Sequence, residues 1–348
     1  MRVLVVPDRM GAIPAAVAGT AVAEGWRAAA GDTEVAVVPC GDAGAGFADA
    51  LAALWRVEPT LASDDPEHLA TWVLADDRAV VAVEPSPELT GFRPEASSAP
   101  LGRAVRALLA EHRPRQLVID LAGATAHDGG AGLLAELGAV ADVPLTEGVT
   151  PLGGLGRIDL GAAHRLLDGI ELIGVVPVAE ANDHLLGLRG ITSRRGTELG
   201  LDPALMLGTD AALERLARLV HPEAAAVAGA GAAGGLAWAI LALGGRVLPG
   251  VDLLGELAGI PDTARLADVV VTTSTAFDFH HKGGGVVDRA AGWAADALRP
   301  CLVLAGEVMI SDREMRLMGI EAAYPVLIAD PDRLRDAVTR VARSWTWA

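Results

Sequence analysis

Short runs of valine, isoleucine and leucine recur along this chain with room for a helix between most of them, and this alternation limits the fold more than any other feature. The runs are "VLVVP" from Val3, "VAVVP" from Val35, "AVVAVE" from Ala79, "QLVIDLAG" from Gln116, "IELIGVVPVAE" from Ile170, "DVVVTTS" from Asp268, "CLVLAG" from Cys301 and "YPVLIAD" from Tyr324. Each is apolar on both faces, which predicts strands covered on both sides and an α/β fold with a largely parallel sheet. Helical patterns lie between them at Pro14 to Ala30, Leu101 to His112, Pro203 to Val220 and Pro331 to Ser344. The last carries its own start signal, Asp330 as N-cap with Pro331 at the first helical position. At 348 residues and 51% apolar content the chain exceeds one ordinary core, so two domains are expected.

A formal charge of -17 repels phosphate backbones and anionic lipid, which argues against nucleic acid and membrane surfaces as partners. An anionic substrate then needs a local cationic pocket. Cys40 and Cys301 adjoin aliphatic runs and give neither metal spacing nor a disulfide framework, so they read as reduced core thiols of a cytoplasmic protein. "MRVLVVPD" is too short an apolar run for a signal peptide. The uncharged stretch Ala224 to Gly245 is rich in Ala and Gly and reads as a turn with a buried helix rather than a membrane span.

In open parallel sheets ligands bind beyond the carboxyl ends of the strands. The residues there are Asp8, Asp42, the turn Thr125 to Gly132, Asn182 with Asp183, and Thr272 to Lys282. "AGATAHDGGAG", Ala122 to Gly132, follows a strand and opens into a helix, which would place successive amides around an anion, with Asp128 free for a metal or hydroxyl. It reads equally as a tight turn without a ligand. "AGAGAAGGLAWAILALGG", from Ala228, is a second glycine-rich helix entry that matches neither the dinucleotide nor the Walker pattern, and alone it means close helix packing. Asp8 and Asp42 could hold magnesium or accept a proton from an alcohol, or each could be a turn aspartate. Arg194 and Arg195 could grip a carboxylate or phosphate, or be a solvated pair. His280 and His281 are adjacent and would not chelate one metal together. Lys282, the only lysine of the chain, precedes three glycines in "HHKGGG", where it is either a phosphate-binding ammonium or an incidental turn residue.

Taken in order, "VPD", "GDAGAG", "TAHDGGAGLLAELGA", "GAGAAGGLAWAILALGGRVLPGVDLL" and "CLVLAGEV" resemble the bacterial glycerate kinases of the two-domain α/β type across almost the whole chain. The resemblance implies a Rossmann-like or flavodoxin-like domain built from both chain ends (residues 1–70 and 262–348), a second α/β domain inserted at 71–261, and an active cleft between them. It implies ATP-dependent phosphorylation of D-glycerate or a related small hydroxy acid, with ATP and Mg2+. A homodimer is compatible with it. Carried over residue by residue, it makes Asp42 and Asp278 catalytic and metal-binding, with Lys282 as a shifted phosphate-binding lysine. Asp8, Gly44, Gly46, Asp128, Gly129, Gly130, Asp183, Arg194, Arg195, Gly231, Gly234 and Gly235 would contact substrate or phosphate.

The polar positions depart from the family pattern. "P-D-S-x-K" is here "PDRMGAI", without the serine or lysine after Asp8; the glutamate and threonine of "D-G-G-E-G-T" are Ala45 and Phe47. "G-P-Q-K-G" becomes "TSRRG", placing Arg195 at the lysine, and Glu180 and Asp183 stand at the aspartate and asparagine of "C-D-V-x-N-P-L". Of "G-E-G-x-x-D" only Asp278 remains. The alternative to a kinase is therefore a descendant that keeps the fold to bind a small anion or a protein partner.

Overall fold

The structure is a computed structural model and describes residues 1–62, 69–83, 91–280, 282–326 and 330–346. Residues 84–90 of the proline-rich stretch "EPSPELTGFRPEASSAP" from Glu84, and His281, lie outside the described residues. The strands, in chain order, are β1 (Arg2–Val6), β2 (Glu34–Val37), β3 (Thr60–Leu61), β4 (Ala70–Ala75), β5 (Arg78–Val83), β6 (Gln116–Asp120) and β7 (Val140–Ala141). They continue with β8 (Ile158–Asp159), β9 (Glu171–Val176), β10 (Arg246–Pro249), β11 (Val269–Asp278), β12 (Cys301–Met309) and β13 (Ala322–Pro325). The chain is α/β, and it divides into a unit of residues 1–56 and 250–348 and a second of 57–249.

The crossings therefore fall at 56/57 and 249/250, where the sequence suggested 70/71 and 261/262. The reason is hydrogen bonding and packing: β3 and β4 pair into the sheet of the second unit, while the helices Gly250–Ala258 and Ile260–Leu266 belong with the first.

The first unit holds a five-stranded sheet in the order β13-β12-β11-β1-β2, every neighbour parallel. Counted within the unit this is 2-1-3-4-5, the flavodoxin-like order, and the strand order reverses between β1 and β11. One face is covered by the helices Ala15–Ala29 and Pro331–Ala342, which bury Val22, Trp26, Leu334 and Val338 against Val3, Val5, Val271 and Leu304. Asp330 caps the second helix as expected, accepting from the Arg333 amide at 2.9 Å.

The second unit holds a six-stranded sheet, β10-β9-β6-β5-β4-β3, and a small β7–β8 pair. It is parallel from β10 to β5, but β4 and β3 are antiparallel, so this sheet is less uniformly parallel than the apolar runs suggested. The stretch from Ala224 contains a buried helix, Leu236–Ala242, entered through a glycine-rich turn. Among the described residues no helix is long and apolar enough to cross a membrane. Cys40 and Cys301 are both buried and free, and burial raises both thiols, Cys301 to about 12.

Candidate functional site

Two groups of polar residues stand at carboxyl ends of parallel strands, one in each unit. In the first unit, Asp8 follows β1 at the point where the strand order reverses. Its backbone carbonyl accepts from Thr273 Oγ1 of β11 at 2.6 Å, and its carboxylate accepts from the Arg9 amide at 2.7 Å. The Arg9 guanidinium turns to the Gly11 carbonyl, and the Gly11 amide donates to Thr275 Oγ1 at 2.7 Å, so β1 and β11 clamp this turn from both sides. Burial lifts the Asp8 carboxyl to about 6, against the Arg9 amide and with the help of the nearby Asp42 charge. Asp42 accepts from its neighbour's amide, Ala43, at 3.0 Å. Gly44 and Gly46 take left-handed conformations in the turn that starts the helix Phe47–Trp55, with the Phe47 amide on the Gly44 carbonyl at 3.2 Å.

Arg289, which the sequence reading passed over, joins this group. It forks onto Asp252 (Nε to Oδ1 2.6 Å, Nη2 to Oδ2 3.2 Å), reaches Asp288 with Nη1 at 3.0 Å, and feels the charge of Asp42. The only available signal was its position early in the helix after the glycine turn. Asp278 ends β11, and its carbonyl accepts from the Lys282 amide at 3.0 Å, closing a one-turn loop. Lys282 is exposed with φ 49°, and Ser274 Oγ donates to the next carbonyl, Gly283, at 3.1 Å. Lys282 faces solvent.

In the second unit the expected anion cradle is already filled by the protein itself. Asp128 is fully buried: Oδ2 accepts from the Ser98 amide (2.8 Å), Ser98 Oγ (2.9 Å) and the Gly132 amide (3.1 Å), and Oδ1 from the Gly130 amide (2.9 Å). Burial pushes this carboxyl up, while the four donors pull it down. The Gly129 amide donates to the Gly234 carbonyl at 3.1 Å, Ala131 to the Asp128 carbonyl at 3.1 Å, and Leu133 to Ser98 Oγ at 2.9 Å. Every amide from 129 to 133 is thus engaged within the protein, so this turn in this state is a brace and Asp128 is not available to a metal or hydroxyl.

The second glycine segment is the other half of the brace. Gly234 has φ 67°, and a Cβ there would lie 2.2 Å from the Ala126 carbonyl oxygen and 2.9 Å from the His127 Cα. Both the left-handed backbone and the close approach require glycine. Gly234→Ala is expected to cost about 3 kcal/mol or more of unfolding free energy, read from the urea midpoint.

Beside the brace lies an ionic network at the ends of β6 and β9. Arg195 Nη2 bonds Glu180 Oε1 at 3.0 Å, and Glu180 Oε2 accepts from the Ala233 amide at 2.7 Å, holding that residue at φ 53°. Arg194 bonds Asp183, whose carbonyl accepts from the Gly231 amide at 3.0 Å; burial pushes the Asp183 carboxyl up against the pull of that arginine. The structure thus brings Asp183, Arg194, Arg195, Gly231, Gly234 and Gly235 together. It also adds His127 and Thr192, which the sequence reading missed. His127 Nε2 lies 2.9 Å from Thr192 Oγ1, and burial drives the imidazole down to about 3, with Arg195 nearby adding to the effect. Its sequence signal was a histidine directly before Asp128 in the glycine-rich turn "TAHDGGAG".

Among the described residues no group of three or more His, Cys, Asp or Glu side chains is arranged to hold a metal alone.

Comparison with known proteins agrees with this architecture. A crystal structure from Salmonella typhimurium LT2, provisionally assigned as glycerate kinase 2, superposes with a TM-score of 0.80 at 22% identity, covering 99% of this chain and 97% of that one. An uncharacterized protein of Mycobacterium bovis is 30% identical over 94% of this chain and 84% of its own length. The glycerate 2-kinase of Escherichia coli K12 is 24% identical over 94% of this chain and 91% of its own. The model of the glycerate kinase family matches residues 3–346, so the chain belongs to the glycerate kinase family, and with it to the kinases.

Proposed function

We propose that the protein transfers the γ-phosphoryl group of ATP to a hydroxyl of D-glycerate or a related small hydroxy acid. The observation that carries this reading is the pair Asp8 and Asp42 beside the strand-order reversal, one of them with its pKa lifted to about 6. Phosphoryl transfer needs positioning and charge stabilisation more than covalent chemistry. Asp8, poised near neutrality, takes the proton of the acceptor hydroxyl as its oxygen bonds the γ-phosphorus and the bond to the β–γ bridging oxygen breaks. Asp42 fits magnesium: it is a hard oxygen donor, and magnesium takes one or two carboxylates and completes its shell with phosphate and water, which leaves Asp8 as the base. Bound magnesium supplies the positive charge that screens the transferring group.

Around that pair, Arg289 is held in place by Asp252 and Lys282 sits at the mouth of the β11 turn, two cations for the nucleotide phosphates. Asp278 remains in this reading as a further carboxylate at the end of β11.

A coupled ADP-release assay with magnesium-ATP and D-glycerate tests the reading. Turnover is expected, falling on the order of a hundredfold or more in Asp42→Asn. A folded sample that neither turns over any small hydroxy acid nor gains thermal stability from magnesium-ATP would return the chain to the anion-binding alternative.

A further inference from the structure

Within the first unit, the helix Gly250–Ala258 is wedged between the turn that carries Asp42 and the helix Gly285–Asp296. At its start, a Cβ on Gly250 would lie 2.6 Å from the Ala43 nitrogen and 2.9 Å from the Phe47 ring, so the backbone rests directly on the residue after Asp42. Further along, a Cβ on Gly255 would lie 2.5 Å from the Trp293 ring of the facing helix. Asp252 sits between these two contacts, and Arg289 sits one turn before Trp293. The side-on fork from Arg289 Nε and Nη2 to Asp252, at 2.6 and 3.2 Å, is thus seated in a packed helix–helix contact and not left to the ion pair alone. Nη1 reaches Asp288 at 3.0 Å, and among the described residues these bonds leave one N–H on each terminal nitrogen. The Arg289 side chain is only 32% exposed. Lys282 is the opposite kind of cation, exposed on its glycine turn at the end of a flexible stem.

We propose that Arg289 is the cation that stabilises the transferring phosphoryl group, with Asp252 as its positioning residue, and that Lys282 serves only to bind the nucleotide. This rests on the phosphotransferase reading above and divides the work between the two cations of the first unit. As the acceptor oxygen bonds the γ-phosphorus, the bond to the bridging oxygen breaks and its electron pair leaves with ADP, so charge gathers around the phosphoryl group. A donor speeds this step only if it meets that charge better than it meets bound ATP, and a donor already locked in place needs no reorganisation when the charge appears. Arg289 is such a donor, because Asp252 takes one edge of the planar fork and leaves terminal N–H groups for phosphate oxygens. A nucleotide phosphate at the Asp42 turn lies beside this guanidinium, since the two side chains already act on each other electrostatically. A mobile ammonium follows the phosphate in every state and so favours ground and transition states alike.

Two measurements on the full chain test this. The first is steady-state kinetics with magnesium-ATP and D-glycerate. Arg289→Met should lower kcat by roughly a hundredfold or more with KM for ATP changed much less, whereas Lys282→Met should raise KM for ATP by roughly tenfold and leave kcat within about threefold. Arg289→Lys should recover little, since an ammonium cannot hold Asp252 side-on and meet a phosphate as well. Asp252→Asn should lower kcat by roughly tenfold in the wild type and not at all in Arg289→Met, the signature of a residue that acts only through the arginine. A loss in Arg289→Met that appears in KM for ATP alone, or an Asp252→Asn penalty equal in both backgrounds, overturns the assignment. Should Arg289→Met fail to fold, the double variant Asp252→Asn with Arg289→Gln, which leaves no carboxylate stranded at position 252, is compared with Asp252→Asn alone and should be at least roughly tenfold slower. The second measurement needs no turnover: calorimetric binding of ADP with magnesium, with and without aluminium fluoride as a mimic of the transferring group. The gain in affinity from aluminium fluoride should persist in Lys282→Met and shrink by roughly tenfold or more in Arg289→Met. An equal gain in the wild type and Arg289→Met overturns the role of Arg289 while wild-type turnover leaves the kinase standing, and a wild type with neither turnover nor gain overturns both.

Discussion

Replacing Asp128 with alanine is expected to lower the free energy of unfolding by about 3 to 5 kcal/mol, a drop of roughly 10 °C in Tm for a unit of this size. The fully buried carboxylate satisfies four donors, and its removal strips all four of this acceptor at once. The effect is specific in form. Asp128→Asn should cost about half as much, because one amide oxygen can take the three donors now on Oδ2, while the new NH2 group faces the Gly130 amide, donor against donor. Urea midpoints of the two variants check the order. If alanine and asparagine proved equally mild, the carboxylate would not be the brace described here.

The second large effect is in the pH dependence of stability. His127 has a folded pKa near 3, against about 6.5 in the unfolded chain, so the native state holds it neutral while the unfolded state takes up a proton. Its contribution is fully present above pH 6.5 and is lost as pH falls toward 3, amounting to about 3 kcal/mol between pH 7 and pH 4. Asp8 works with the opposite sign: a carboxyl raised to about 6 disfavours the native state as pH rises from 3.8 through 6, so acid partly relieves it. The comparison that isolates the histidine is His127→Gln against wild type. The loss in unfolding free energy from pH 7 to pH 4 should be about 3 kcal/mol smaller in the variant, and equal losses would mean the imidazole is not held neutral.

Much of the architecture was legible because buried parallel strands write themselves as unbroken apolar runs, and each run named from the sequence contains or overlaps a strand. The strands that escaped were of another kind. β4, "ATWVLA", joins β5 through the two-residue turn Asp76–Asp77 as an antiparallel hairpin, and β10 is only four residues long and ends in proline. At the site, residue type was legible and partnership was not. A glycine-rich turn at a strand end offers the same amides whether a phosphate or the protein takes them. What decides the matter here is Ser98, thirty residues before Asp128, and Gly234, far beyond it. The adjacent arginines were visible as a pair, but their division of labour depends on which carboxylate each meets: Asp183 for Arg194 and Glu180 for Arg195. His127 was hidden for the same reason, since an imidazole becomes informative only when one nitrogen is seen bonded and the other is not.

The pairing of β1 with β11 also sets an order on how the chain can assemble as it is made. The Arg2 amide bonds the Asp268 carboxylate across a separation of 266 residues, and Val3 lies in register with Val269. Until β11 leaves the ribosome, β1 and β2 are a two-stranded remnant with one edge unpaired, whereas residues 57–249 are contiguous and have all their sheet neighbours to hand. The long-range contacts of the first unit close last and slowly, and during synthesis the apolar β1 edge is the stretch of this protein most in need of protection from other chains.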